Sequence, residues 1–171
     1  MKKILIIFVS LFFVNLCLSS QIQRKFYDFT LGQTSKSEVV NYFKAKQIEI
    51  VDNKENSVAV RNVRFGGYEW PFSAFRFYNN KLVFVYFSND EQSNSKESLS
   101  KTWEHLVTII DKKYSNFFVS KTSSENILFY NDNITNVQLK YTVFEGIEAI
   151  TLSYADNQLL SEECKEDENE L

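Results

Sequence analysis

Cysteine, histidine, proline and glycine are all scarce in this chain: two, one, one and four among 171 residues. With so few cysteines there is no disulfide framework. Cys17 falls in the apolar N-terminal stretch, so the remainder holds Cys164 alone and cannot form an internal bridge. A single histidine, His105, leaves no ordinary zinc ligand set, and no Ser-His-Asp triad or His-Cys dyad at a packed site if it faces solvent. The paired glycines Gly66-Gly67 are not a phosphate loop, because the Lys-Ser/Thr step and the following helix are missing. No spaced, Gly-containing acidic loop is present for calcium, and no basic patch for nucleic acid. Metal, cofactor and nucleic acid are therefore not expected as partners. Carboxylate-pair chemistry survives this counting, but Glu69, Asp90, Asp111, Glu145 and Glu148 fall in turns, loops or on solvent faces without a spacing that implies convergence.

What is present begins with Met1-Lys2-Lys3, an apolar run from Ile4 to Leu16, and the small residues of Leu18-Ser19-Ser20. These are the parts of a secretory signal over residues 1–20, and the run is shorter than the ~20 residues that span a bilayer. Cleavage near Ser20-Gln21 gives a periplasmic or secreted bacterial protein without a membrane span. A lipid anchor at Cys17 is the lesser alternative, since Asn15-Leu16 is not a lipidation context. Without Lys2 and Lys3 the balance is 17 basic to 22 acidic groups. Residues 161–171 carry Glu162, Glu163, Glu166, Asp167, Glu168 and Glu170 against Lys165, so the rest is near neutral. That segment is expected to be a disordered acidic tail, following a single domain over residues 21–160.

The strongest local signal is Phe72 to Phe87, FSAFRFYNNKLVFVYF. Two runs of β-branched and aromatic residues flank Asn79-Asn80, a pair that tolerates the positive φ of a two-residue hairpin turn. A regular ladder from that turn pairs Phe77 with Leu82, Phe75 with Phe84 and Ser73 with Tyr86, making those residues one face. Phe72, Ala74, Arg76, Tyr78, Val83, Val85 and Phe87 then share the other, which suits either a core or a contact surface. A second hairpin turns at Glu145-Gly146, with Val137, Leu139, Tyr141, Val143, Ile150, Leu152 and Tyr154 on one side and Lys140 and Thr142 on the other.

Two helices precede the hairpins. Ser35-Lys36-Ser37-Glu38 has capping-box spacing ahead of Val39, Val40, Tyr42 and Phe43. Leu99, Trp103, Leu106, Val107, Ile110 and Tyr114 recur at three and four, with His105 roughly opposite on the wheel. Short strands are expected at Ile48 to Val51, Val58 to Phe65, Phe117 to Lys121 and Asn126 to Tyr130, with a bend near the glycines and Pro71.

Both halves thus read helix, two short strands, strong hairpin, over candidate repeats 31–90 and 98–157. So few helices per strand argue for an α+β domain: a curved antiparallel sheet of about eight strands with two helices on one face. This tandem order resembles the beta-lactamase inhibitor protein fold. Leu31-Gly32-Gln33-Thr34 with Glu38-Val39 is similar to the helix start in small exported domains of that kind, including outer-membrane assembly lipoproteins. The resemblance covers residues 31–155 and transfers no functional residue; the chain lacks that inhibitor family's disulfides.

Helices on one face leave the other free. The expected function is an exported, non-enzymatic binding or assembly module that meets a protein partner there, with Phe72, Arg76, Tyr78, Val85, Phe87, Lys140 and Thr142 as candidate contacts. The alternatives are a small-ligand carrier using the aromatic sheet as a pocket wall and, behind it, a carboxylate-dependent hydrolase.

Overall fold

The computed structural model describes residues 22–90, 96–116 and 120–169. The signal segment read at residues 1–20 lies outside them, as do residues 117–119 of the strand expected at Phe117 to Lys121. Strands β1 (Lys25–Phe26) and β2 (Phe29–Thr30) form a small hairpin, followed by α1 (Lys36–Ala45) and then β3 (Ile50–Lys54), β4 (Ser57–Phe65), β5 (Tyr68–Tyr78) and β6 (Lys81–Asp90). Helix α2 (Lys96–Tyr114) leads into β7 (Ser120–Ser124), β8 (Ile127–Asn131), β9 (Thr135–Phe144) and β10 (Ile147–Asp156), and α3 (Asn157–Asn169) ends the chain. The eight strands from β3 to β10 form one antiparallel sheet in the order β3-β4-β5-β6-β10-β9-β8-β7. This is an α+β protein. Each half is a meander behind its own helix, and the last strands of the two halves, β6 and β10, pair at the centre.

Local chemistry sets these elements as expected. Ser35 caps α1: its amide donates to Glu38 Oε2 at 2.7 Å while its hydroxyl accepts from the Glu38 amide at 3.4 Å. Asn79 and Asn80 turn the β5–β6 hairpin with φ of 49° and 57°, the two left-handed residues that a twist-matched turn needs. Gly66-Gly67 is the β4–β5 turn, and the expected bend lies four residues on at Pro71. Opposite it, Asn62 has φ of 53°. Val60 and Ser73 pair on the helix-covered side, and so do Val63 and Trp70, three residues further along each strand. The strand pair therefore turns over at Asn62 and Pro71, which brings Phe65 and Trp70 into the core.

The core lies between the sheet and the layer formed by α1, α2 and the β1–β2 hairpin. Phe43 of α1 and Phe29 of β2 meet Phe75 at ring separations of 5.2 and 5.7 Å, and Phe26 meets Tyr154 at 4.7 Å. Helix α2 buries Leu99, Leu106, Ile110 and Tyr114, with Trp103 against Tyr141, as the three-four spacing implies. The N-terminal lead thus docks on the helix side.

Two expectations fail, and both matter to function. First, the hairpin is not a regular ladder. Phe77 pairs with Leu82, but Arg76 pairs with Phe84 and Phe75 with Val85, so Val83 is an extra residue in β6. This bulge reverses the pleat beyond it. Val85 and Phe87 are fully buried in the core, whereas Phe84 and Tyr86 stand on the opposite face and are only partly buried. Second, residues 161–169 are not a disordered tail; they continue α3, whose side chains reach the sheet face opposite α1 and α2.

Candidate functional site

On that second face, register alone places the side chains in rows across the sheet. One row runs Arg76, Phe84, Ala155, Asn136; the next Ala59, Ala74, Tyr86, Ser153, Gln138, Phe129; a third Arg61, Phe72, Ser88, Thr151, Lys140, Ile127. The centre is built of small residues, so the aromatic rings stand clear of their neighbours. Phe72 meets Tyr86 edge-on at 6.5 Å, Tyr86 stacks on Phe84 at 6.3 Å, and the Arg76 guanidinium lies 5.5 Å from the Phe84 ring centre. Phe72 is 39% exposed.

Helix α3 covers the first row. The Asp156 carboxylate accepts from the Leu159 amide at 3.0 Å in the manner of an N-cap. Half-buried Leu159, Leu160 and Glu163 follow at helical spacing. Glu163 pairs with Arg76 at 3.0 Å, and Glu166 accepts from the Tyr78 hydroxyl, whose pKa that carboxylate pushes up to about 12. Val83, doubled with Phe84 by the bulge, is buried on this side, outside the main core cluster.

Of the seven residues expected at this face, Phe72, Arg76 and Tyr78 come together there. Val85 and Phe87 do not, because the Val83 bulge turns them inward. Lys140 and Thr142 share the face but sit on β9, three strands from β5, or about 14 Å at the ordinary strand spacing. The Thr142 hydroxyl donates to the Ala149 carbonyl at 3.4 Å. Sequence reasoning missed Phe84 and Tyr86, because Leu82 to Phe87 is apolar throughout and carries no alternation to fix its phase.

At the sheet's other surface, the start of α3 is tied to the N-terminal lead. Arg24 donates to the Leu31 carbonyl and Thr135 Oγ1, each at 2.8 Å, and pairs with the buried Asp156 at 2.5 Å. Gly32, with φ of 79°, passes so close that a Cβ would lie 2.9 Å from Asp156 Oδ2 and 3.0 Å from Arg24 Nη2, which explains the glycine of the Leu31-Gly32 motif. A polar cleft of about 210 Å³ borders this pair and Lys81. Beneath α2, an apolar cavity of about 70 Å³ lies between Phe65, Trp70, Leu106, Ile110 and Tyr154. Tyr68 also lines it, and its hydroxyl lies 2.5 Å from Nδ1 of His105, which is exposed as the helical wheel implies.

No protein-family model, characterised protein or solved structure matches the chain. Among the described residues no helix is long and apolar enough to cross a membrane.

Proposed function

We propose that this is an exported, non-enzymatic binding module that contacts a protein partner through the part of the sheet face that α3 leaves uncovered. The observation that carries the reading is the strip of Phe72 and Tyr86 raised over Ala74, Ala59 and Ser153. Among the described residues Phe72 is one of six exposed large apolar side chains and the one aromatic ring among them, and rigid aromatic rings are among the groups that dominate recognition surfaces. The apolar cavity, about 70 Å³, is well below the ~300 Å³ from which ligand pockets start, so the carrier alternative gains no support from it. His105 is engaged by a tyrosine rather than by a nucleophile or carboxylate, and no catalytic role is assigned to it. The likeness in element order to the beta-lactamase inhibitor protein fold belongs with this proposal and adds no contact residue.

The test places a photo-crosslinking amino acid at Phe72 and, as control, at Lys112 on the exposed side of α2, in cells of the natural host. A discrete adduct at Phe72 that is absent at Lys112 is expected; matching patterns at both positions overturn the proposed surface. Intact mass of the recovered protein checks export, which is refuted by a chain that still begins at Met1.

A further inference from the structure

The occupant that α3 provides says what kind of partner its seat accepts. The helix turns half-buried Leu159, Leu160 and Glu163 toward the sheet, with Glu163 on Arg76 and exposed Glu166 on the Tyr78 hydroxyl, while Lys81 and Leu159 line one cleft at its start. For local support the helix has the Gln158 amide donating to Glu162 at 2.9 Å, a small contribution. It has 13 residues, at the length where isolated helices are marginal, and its last turn contains no basic residue to complement the negative end of the helix dipole. Glu166 lies in its C-terminal half, where it opposes that dipole. Both polar ties to the sheet are solvent-accessible; Arg76 is 44% exposed in its side chain. Removing α3 would uncover Arg76, Tyr78, Val83 and Phe84, which continue the Phe72–Tyr86 strip without a break.

We infer that α3 is a displaceable internal occupant, and that the full docking site, α3's seat together with the open strip, receives an acidic amphipathic helix of a protein partner that presents a leucine pair followed by carboxylates three residues apart. The inference rests on the proposed binding face and names the chemistry of what binds there. Displacement is favoured when the incoming helix makes the same carboxylate contacts and extends over Phe72, which α3 leaves exposed. The fraction of chains with α3 released scales the apparent affinity for any competitor, so weakening α3's own ties strengthens binding in trans.

The probe is a fluorescent peptide of residues 157–169, titrated by anisotropy against the full chain and against the chain carrying Glu163→Ala and Glu166→Ala. Hydrogen exchange is followed in parallel at α3 and at β5. The expected result is faster exchange at α3 with β5 still protected, and peptide binding at least about tenfold tighter to the double variant than to wild type. Adding Arg76→Glu to the double variant should abolish that binding; Arg76→Gln, which is milder, should weaken it if the glutamate compromises folding. Unchanged protection of α3 overturns the inference, as does equal binding to wild type and double variant, or binding indifferent to Arg76. Peptide uptake that merely dissolves a dimer in sedimentation would assign the seat to a second copy and overturn it too. Because the peptide reads the α3 seat and the crosslink reads Phe72, failure of this inference is distinguished from failure of the proposed binding face.

Discussion

Phe87→Ala against Tyr86→Ala is the sharpest test of the architecture, because adjacent residues exchange faces on the presence of one extra residue, Val83. Phe87 has no exposed surface, lies parallel to Phe65 with ring centres 4.4 Å apart, and meets Trp70 at 5.5 Å. Truncating it removes a complete aromatic side chain from a core that cannot close around the gap, a loss of about 3–5 kcal/mol. Of this, about 0.5–1.5 kcal/mol belongs to the stacked ring pair. Tyr86 is half-buried, on the second face, with Phe72 and Phe84 more than 6 Å away between ring centres. Its truncation should cost under about 1.5 kcal/mol, nearer a surface substitution than a core one. Urea denaturation with unchanged m reads the difference directly, and for a domain of this size the gap corresponds to roughly 5–15 °C in Tm. A regular ladder would bury Tyr86 and expose Phe87. Equal costs, or a costlier Tyr86→Ala, refute the bulge and every assignment on the second face that depends on it.

Arg24→Ala should destabilise by about 3–5 kcal/mol, because it leaves the Asp156 carboxylate, 8% exposed, without its cation; Arg24→Ala with Asp156→Ala should cost less than the sum of the singles. Additivity in urea-measured stabilities would show that the pair is not coupled. Alkaline stability is set by phenols: burial, then the neighbouring Tyr114, holds Tyr154 well above its ordinary 10.0, and burial, then Tyr42, raises Tyr27. Since the unfolded phenols ionise first, this contribution is complete below pH 10 and is lost as pH rises above it, at about 1.4 kcal/mol per pH unit for each such tyrosine. Tyr27→Phe should flatten that slope in urea midpoints taken between about pH 9 and pH 11, and an unchanged slope refutes the assignment.

The sheet was legible because its signals were local and redundant. Asn79-Asn80 and Glu145-Gly146 supply the positive φ that two-residue turns require, and both occur where the flanking runs place them. The β9–β10 pair alternates apolar and polar residues, so its phase could be read and its faces were assigned correctly. The phase of β6 could not. In Leu82 to Phe87 both sets of alternate residues are apolar, so either one satisfies a core, and the choice rests on a backbone irregularity that leaves no compositional mark. Asn62 and Pro71 mark their face reversal more openly, through residue types that tolerate left-handed backbone or break a ladder.

The candidate site was harder to read for a related reason: its determinants lie far apart in the chain and are weak where they stand. Counting charge made residues 161–171 a solvated tail, and the count is correct. What it omits is the partner. Leu159, Leu160, Glu163 and Glu166 make a stripe only if a helix begins at Asp156, and that stripe gains energy only if Arg76, Tyr78 and Val83 stand ready on a sheet face more than 70 residues earlier in the chain. Asp156 supplies the first condition by capping the helix while it holds Arg24. The Val83 bulge contributes to the second, because it puts Phe84 under Arg76 and keeps Val83 on the same side. A one-residue irregularity in β6 thus decides both where the C-terminal helix can lie and which aromatic rings remain uncovered beside it, so a register error there would remove the proposed docking face altogether.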